Sequence, residues 1–324
     1  MPKLRILVVD DSVVVRRVVS DVLSEDPRMV VVGVAANGSI CLAKLEQTRV
    51  DLVILDLEMP VMDGLETISE IRKRHPKLAV IVFSALTVRG GVATLEALSR
   101  GASDYLAKPS NVSDVNEASR ILREQLVPKI TSICLRDADR TTVARAVPPR
   151  PLGKKSQALA IDALVIASST GGPRALEEVA PALPEDFPVP VLIVQHMPPV
   201  FTRLLAERLD KLCAFPVQEA KDGDLLRASS AWVAPGGFHM EVQGSSSRRI
   251  KLTQNPPENS CRPAADALFR AAADSYGGRL LAVVLTGMGK DGLAGCESIR
   301  ERGGQVLAQD EATSVVWGMP GGVV

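Results

Sequence analysis

Short aliphatic runs, each closed by a polar residue and followed by an amphipathic helical stretch, recur along most of this chain and leave few folds open to it. Between residues 4 and 125 the runs LRILVV, MVVVGVA, DLVILD, LAVIVFS and SDYLAKP alternate with VVVRRVVSDVL, ICLAKLE, LETISEIRKR, VATLEALSR and VNEASRILREQL. Runs that stay apolar throughout belong to strands covered on both faces, and strands separated by helices pair in parallel. The pattern predicts an α/β fold: a five-stranded, doubly wound N-terminal sheet with right-handed crossovers. A second pattern of this kind starts near residue 160, broken at PALPEDFPVP, at KDGDLLRASSAWVAPGGFHMEV and at QGSSSRRIKLTQNPPENS. Its middle part alternates as short antiparallel strands do, with Pro235, Gly236 and Gly237 as a breaker. A mostly parallel α/β sheet with an antiparallel hairpin is expected there.

The periodicity lapses from 126 to 159, where VPKITSICLRDADRTTVARAVPPRPLGKKSQ mixes charge with a Pro-Pro-Arg-Pro cluster. This segment reads as a linker, although PKITSICL could dock as a short helical turn. The division is therefore 1–125, 126–159 and 160–324, in keeping with two domains for 324 residues. A flexible linker of this length spans roughly 30–35 Å, enough for two domains to pack and separate.

Charge and composition exclude several functions. Thirty-eight basic residues balance 38 acidic ones, so no broad attraction to nucleic acid or to an anionic membrane is expected. Aromatic residues make up only 3%, which disfavours base-stacking platforms. The five cysteines, Cys41, Cys134, Cys213, Cys261 and Cys296, are scattered without metal-ligand spacing, as in thiols kept reduced in the cytosol. No signal-peptide design and no apolar stretch of about 20 residues is present, and a cytoplasmic protein without membrane insertion is expected.

Three apolar runs of the second half open into polar loops: LVIASSTGG at 164–172, VLIVQHMPP at 191–199 and LAVVLTGMGKDG at 281–292. Ligand sites of open α/β sheets form at such carboxyl ends. The runs deliver Ser169, His196 and Asp291, which are the residue types of a hydroxyl nucleophile, its imidazole base and the carboxylate that orients the base. Taken singly, each has a plainer explanation as a helix cap, a structural histidine or a turn former. Their coincidence at three strand ends favours catalysis. The STGG turn, with Thr170 beside Ser169, brings helix N–H groups to the site, and the N–H of Met288 in TGMG could face a developing oxyanion. STGG is not the G-x-S-x-G elbow, so the α/β-hydrolase fold is not indicated. His239 is a competing imidazole, His75 reads as surface, and Arg262 before Pro263 either positions substrate or starts a helix. Cys261 shows no sign of thiolate activation.

The strand ends of the first half carry Asp10 with Asp11, Asp56, Ser84 and Lys108. Three converging carboxylates call for a hard cation, for which Mg²⁺ is the natural occupant, and Lys108 adds a mobile positive charge. The group suits a phosphoryl attached to a carboxylate.

Segment 4–125 resembles the receiver domains of bacterial response regulators, which are flavodoxin-like. The resemblance implies phosphorylation of Asp56 by a histidine kinase, Mg²⁺ at Asp10, Asp11 and Asp56, Ser84 as switch hydroxyl, Tyr105 as switch aromatic and Lys108 on the phosphoryl oxygen. From about 160 onward, IASSTGGPRAL, VQHMP, WVAPGGFHMEV, CRPAADALF and LTGMGKDG resemble the catalytic domain of the CheB chemotaxis methylesterases. That resemblance implies Ser169, His196 and Asp291 as the catalytic set, with Thr170, Met288 and Arg262 around the oxyanion and substrate. It also implies a phosphorylation-activated protein-glutamate methylesterase acting on chemoreceptors, with receptor glutamine deamidation by the same chemistry, the kinase CheA as phosphodonor and no cofactor for ester hydrolysis. Family members continue past WGMPGGVV with a further helix and short strand. The alternative is a response regulator whose second domain only binds a nucleotide on its glycine turns, but no Walker lysine spacing and no G-x-G-x-x-G supports it. A DNA-binding output lacks any basic helix-turn-helix segment.

Overall fold

A computed structural model describes residues 3–108, 115–134 and 160–324. The chain divides into two compact units, Met1–Thr141 and Thr142–Val324.

In the first unit the five expected strands form: β1 (Leu4–Val9), β2 (Met29–Ala35), β3 (Leu52–Asp56), β4 (Ala79–Ser84) and β5 (Asp104–Ala107). They pair in parallel in the order β2-β1-β3-β4-β5. The helices between them are α1 (Val13–Ser24), α2 (Gly38–Gln47), α3 (Gly64–Arg74) and α4 (Val88–Ser99), and α5 (Val115–Cys134) follows β5. Ser12, Asn37, Asp63 and Thr87 cap the first four, each accepting a backbone N–H of the first turn. Helix α5 corrects one expectation, because residues 126–134 of the segment read as a linker are helical. Pro128 lies inside this helix and lacks the N–H for one turn bond, a disruption of about 3 kcal/mol. Leu122, Leu126 and Ile130 nevertheless repeat every fourth residue and are buried with Val19, Val22 and Leu23 of α1. Burying such side chains contributes about 1.5–3 kcal/mol each, which outweighs the lost bond. The rest of the expected linker, 135–159, lies outside the described residues.

The second unit is built on a six-stranded, all-parallel sheet of order β13-β12-β6-β7-β9-β8. Its strands are β6 (Ala163–Ser168), β7 (Val191–Gln195), β8 (Val217–Glu219), β9 (Ala231–Val233), β12 (Leu280–Val284) and β13 (Gln305–Ala308). Strands β10 (His239–Gln243) and β11 (Arg249–Thr253) form a separate antiparallel pair. The hairpin is thus confined to residues 239–253, whereas AWV in the stretch expected to alternate joins the main sheet in parallel. The helices are α6 (Gly172–Val179), α7 (Phe201–Leu212), α8 (Ala265–Tyr276), α9 (Leu293–Glu301) and α10 (Gly318–Val323). Helix α8 buries Leu268, Phe269 and Ala272 in one cluster with Val165, Leu192, Trp232, Met240 and Ala282. The chain leaves β6 towards β7 and later returns to β6 through β12. The carboxyl ends of β6 and β12 therefore flank the switch point at which such sheets bind ligands.

Candidate active site and phosphoacceptor pocket

The register of the second sheet brings two of the expected residues side by side. Ser168 of β6 pairs with Gln195 of β7, and Ser169 and His196 are the residues that follow. Gln195 ties the two ends together: its Oε1 accepts from Ser168 Oγ at 2.8 Å, and its Nε2 donates to Ser169 O at 3.0 Å and His196 O at 3.3 Å. The space this needs is cleared by Gly172, where a Cβ would lie 2.0 Å from Gln195 Oε1. Gly287, in the loop after β12, is required for a like reason, since a Cβ there would sit 2.9 Å from Ser169 Cβ. That loop therefore runs directly against the serine.

Asp291 reaches the site from the same loop and is almost fully buried. Its Oδ2 accepts from His196 Nε2 at 2.7 Å and from Ala265 N at 2.6 Å. Its Oδ1 accepts from Asp266 N at 3.1 Å and from Asn259 Nδ2 at 3.0 Å. Two of these donors are amides that open α8, where the helix favours negative charge. Burial alone would raise the Asp291 carboxyl, but the bonds from His196 and from the Ala265 and Asp266 amides prevail and hold it below its ordinary value. Burial would likewise lower the His196 imidazole; Asp291, with Cys261 on the other nitrogen, prevails and pushes it up to about 9.

His196 and Asp291 are thus joined, and the ring presents Nδ1 as its remaining nitrogen. Among the described residues no hydrogen bond links Ser169 Oγ to it; Cys261 Sγ lies 3.5 Å from Nδ1 instead. A serine that meets its base only when substrate is bound is common in unliganded enzymes.

The donors around Ser169 are fewer than the STGG motif implies. Gly172 N–H is spent on Ser169 O at 2.8 Å, and Pro173 has none. The Met288 N–H bonds to no acceptor among the described residues, which leaves it available to an oxyanion. The turn carrying it is stitched to later residues. Thr286 N donates to Gln309 Oε1 at 2.7 Å, Val316 N donates to Thr286 Oγ1 at 2.9 Å, and Gly287 N donates to Val316 O at 2.9 Å. Thr170 is buried, and its carbonyl accepts from Thr286 Oγ1 at 2.9 Å. Arg262 sends Nη1 to the carbonyls of Gln254 and Asn255, both at 3.0 Å, which ties it to the loop through one nitrogen, while its buried Nε has no partner among the described residues. His239 is away from the dyad: its Nδ1 accepts from Ala264 N at 3.2 Å and its Nε2 meets Pro256 O at 3.1 Å, which pins both ends of the 256–264 loop. Gln195, Asn259 and Cys261 are the contributors that sequence reasoning missed or discounted. A polar residue closing the apolar run VLIVQ was the one available signal for Gln195.

In the first unit the acidic pocket assembles as expected. Carboxylate oxygens of Asp10, Asp11 and Asp56 lie within 4.8 Å of one another. Lys108 Nζ stands 3.0 Å from Asp10 Oδ2 and 2.9 Å from Asp56 Oδ2. Burial raises the Asp56 carboxyl, with Asp10 adding repulsion and Lys108 opposing both. Lys108 is raised in turn, since its two carboxylate partners overcome its own burial. Ser84 Oγ donates to Gly90 O at 3.1 Å at the end of β4. Tyr105 on β5 is buried, with Lys129 Nζ 5.9 Å from its ring centroid.

A receiver-type pocket and an α/β unit with a histidine-carboxylate pair beside a strand-end serine define the class: a response regulator whose output domain is an enzyme. The receiver-domain profile matches residues 6–120 and the CheB methylesterase profile residues 164–324. A protein-glutamate methylesterase/protein-glutamine glutaminase of Trichodesmium erythraeum is 52% identical over 326 residues, covering 99% of this chain and 93% of the relative. One of the same description from Nocardioides sp. is 50% identical over 338 residues, covering all of this chain and 90% of its own. The crystal structure of the Thermotoga maritima CheB methylesterase catalytic domain is similar with a TM-score of 0.50 at 43% identity, covering 51% of this chain and 87% of that one. The chain belongs to the protein-glutamate methylesterase/protein-glutamine glutaminase family.

Proposed function

We propose that this protein is a phosphorylation-activated protein-glutamate methylesterase of a two-component chemotaxis system, hydrolysing glutamate γ-methyl esters on methyl-accepting receptors and deamidating receptor glutamines. The observation that carries this reading is the 2.7 Å bond between His196 Nε2 and Asp291 Oδ2, made beside the strand end that holds Ser169. Ser169 Oγ attacks the side-chain carbonyl carbon and its proton passes to His196 Nδ1. Asp291 stabilises the resulting imidazolium, and the Met288 N–H faces the oxyanion. Collapse of the intermediate expels methanol, or ammonia from a glutamine, with the proton from Nδ1. Water then attacks the acyl-serine, giving up its proton to Nδ1; that proton returns to Ser169 as glutamate leaves. The nucleotide-binding alternative has no support from the relatives.

In the receiver, reaching to Cys134, Asp56 is the phosphoacceptor and a histidine kinase of the CheA kind is the donor. Asp10, Asp11 and Asp56 fit Mg²⁺: all three offer oxygen, and the only partner of buried Asp10 Oδ2 among the described residues is the Lys108 ammonium it shares with Asp56. The cation would neutralise charge on the incoming phosphoryl group. Lys108 would hold a phosphoryl oxygen, and Ser84 and Tyr105 would respond to the added charge of about −1.5 to −2. Among the described residues no helix is long and apolar enough to cross a membrane, and we take the protein to work in the cytoplasm on the receptors' soluble portion. The reading is tested by incubating the full chain with methyl-labelled receptor, with and without a phosphodonor. Methanol release that rises with phosphodonor is expected; no release in either condition rejects it.

A further inference from the structure

The resting imidazole has both nitrogens engaged, and only one partner belongs to the reaction scheme above. Nε2 is held by Asp291 at 2.7 Å, while Nδ1, the nitrogen Ser169 needs, faces Cys261 Sγ at 3.5 Å. This contact is built rather than incidental. Cys261 closes a tight turn in which Glu258 and Cys261 exchange backbone bonds of 2.8 and 3.1 Å. The two residues between them, Asn259 and Ser260, have φ of 50° and 64°, a left-handed pair that costs energy in non-glycine residues. The turn is anchored twice: Asn259 Nδ2 bonds Asp266 Oδ2 at 2.8 Å and Asp291 Oδ1 at 3.0 Å, and Glu258 receives Arg270 of α8 at 2.7 Å. One strained turn therefore grips Asp291 with its second residue and His196 with its fourth.

We propose that Cys261 is a positioning residue of the hydrolysis, its thiol holding Nδ1 of His196 at rest and yielding that nitrogen to Ser169 Oγ when substrate enters. The inference rests on the assignment of Ser169, His196 and Asp291 given above. Sulfur suits this role because it is a weak acceptor: with His196 raised to about 9, the resting imidazolium donates its Nδ1–H to Cys261 Sγ, a bond strong enough to orient the ring and weak enough to give way to a hydroxyl. The groups facing this imidazole are Asp291 on one side and Cys261 on the other. Behind Asp291 stand Asp266 and Arg270 of α8, and His239 lies beyond Ala264. Of the two direct contacts, only Cys261 can be removed without touching the carboxylate.

The test compares wild type, Cys261→Ala and Cys261→Ser in the full chain by two readouts. The first is the pH dependence of kcat/KM for methanol release. The second is the NMR titration of His196, resolved from His75 and His239, in a Ser169→Ala background where turnover plays no part. Removing the sulfur should move the His196 midpoint down by about one pH unit in both readouts, with KM little changed and the serine variant in between. A purely structural role would lower kcat/KM at every pH and leave the midpoint in place; that result, in both variants, overturns the proposal. Turnover surviving Ser169→Ala would instead sink the catalytic assignment, and the NMR arm would still report on Cys261.

Discussion

The two units solve the same problem in different ways. Both gather polar side chains at the carboxyl ends of parallel strands, but the receiver pocket is delivered almost wholly by strand register. Asp10 follows β1, Asp56 and Ser84 close β3 and β4, and Lys108 follows β5. In the esterase unit register delivers only Ser169 and His196. Asp291 comes from a loop, and its four hydrogen bonds are made by the start of α8, by the 258–261 turn and by His196 itself. Their electrostatics differ accordingly. The receiver sets three carboxylates against one lysine, whereas the esterase meets Asp291 with four donors and gives its buried neighbour Asp266 donors of its own in Asn259 Nδ2 and Gly295 N. Burial does not separate the two sites, since Asp10 and Asp56 are as buried as Asp291; the balance of donors around the carboxylates does.

Substitutions can break this contrast, beginning with the largest expected effect. Ser169→Ala should lower methanol release by about 10⁶, the scale set by loss of a nucleophile in other serine enzymes, with phosphodonor unable to restore it. Asp291→Asn should cost about 10⁴ in kcat, since the imidazole loses the partner that fixes its tautomer. The pH profile sharpens the point. With His196 pushed up to about 9, kcat/KM should climb with pH as the base loses its proton and reach half its maximum near 9. The sign is opposite for folding: the bond with Asp291 stabilises most below 6.5 and is lost as pH rises through about 9. Asp291→Asn should bring the activity midpoint down; an unmoved midpoint would show that another group governs the limb.

On the receiver side, Asp56→Asn should leave the unstimulated rate within about twofold of wild type while abolishing stimulation by phosphodonor, measured as methanol release with and without it. Stimulation that persisted would place the phosphoacceptor elsewhere. The smallest effect is expected for Gln195→Ala, which strands buried Ser168 Oγ and should destabilise the fold by about 1–3 kcal/mol in denaturant titration.

The contrast also explains what could be read from the residues alone. Asp10, Asp56, Ser169 and His196 were visible because a strand that is apolar from end to end announces its own terminus, and the next polar residue marks the rim. The continuation of α5 was hidden by Pro128, whose local cost is overruled by Leu126 and Ile130 packing on α1. Asn259 and Cys261 were hidden for a deeper reason. Their turn lies in a segment without periodicity, and their partners are 32 and 65 residues away in sequence. Contacts of that kind are fixed by tertiary packing, which leaves no local signature.

The stitching of Thr286 and Gly287 to Gln309 and Val316 sets an order of assembly. During synthesis Ser169, His196 and Asp291 all emerge before the residues that clamp the Met288 turn, so a nascent chain arrested short of Val316 would hold all three side chains and still lack the brace of that turn.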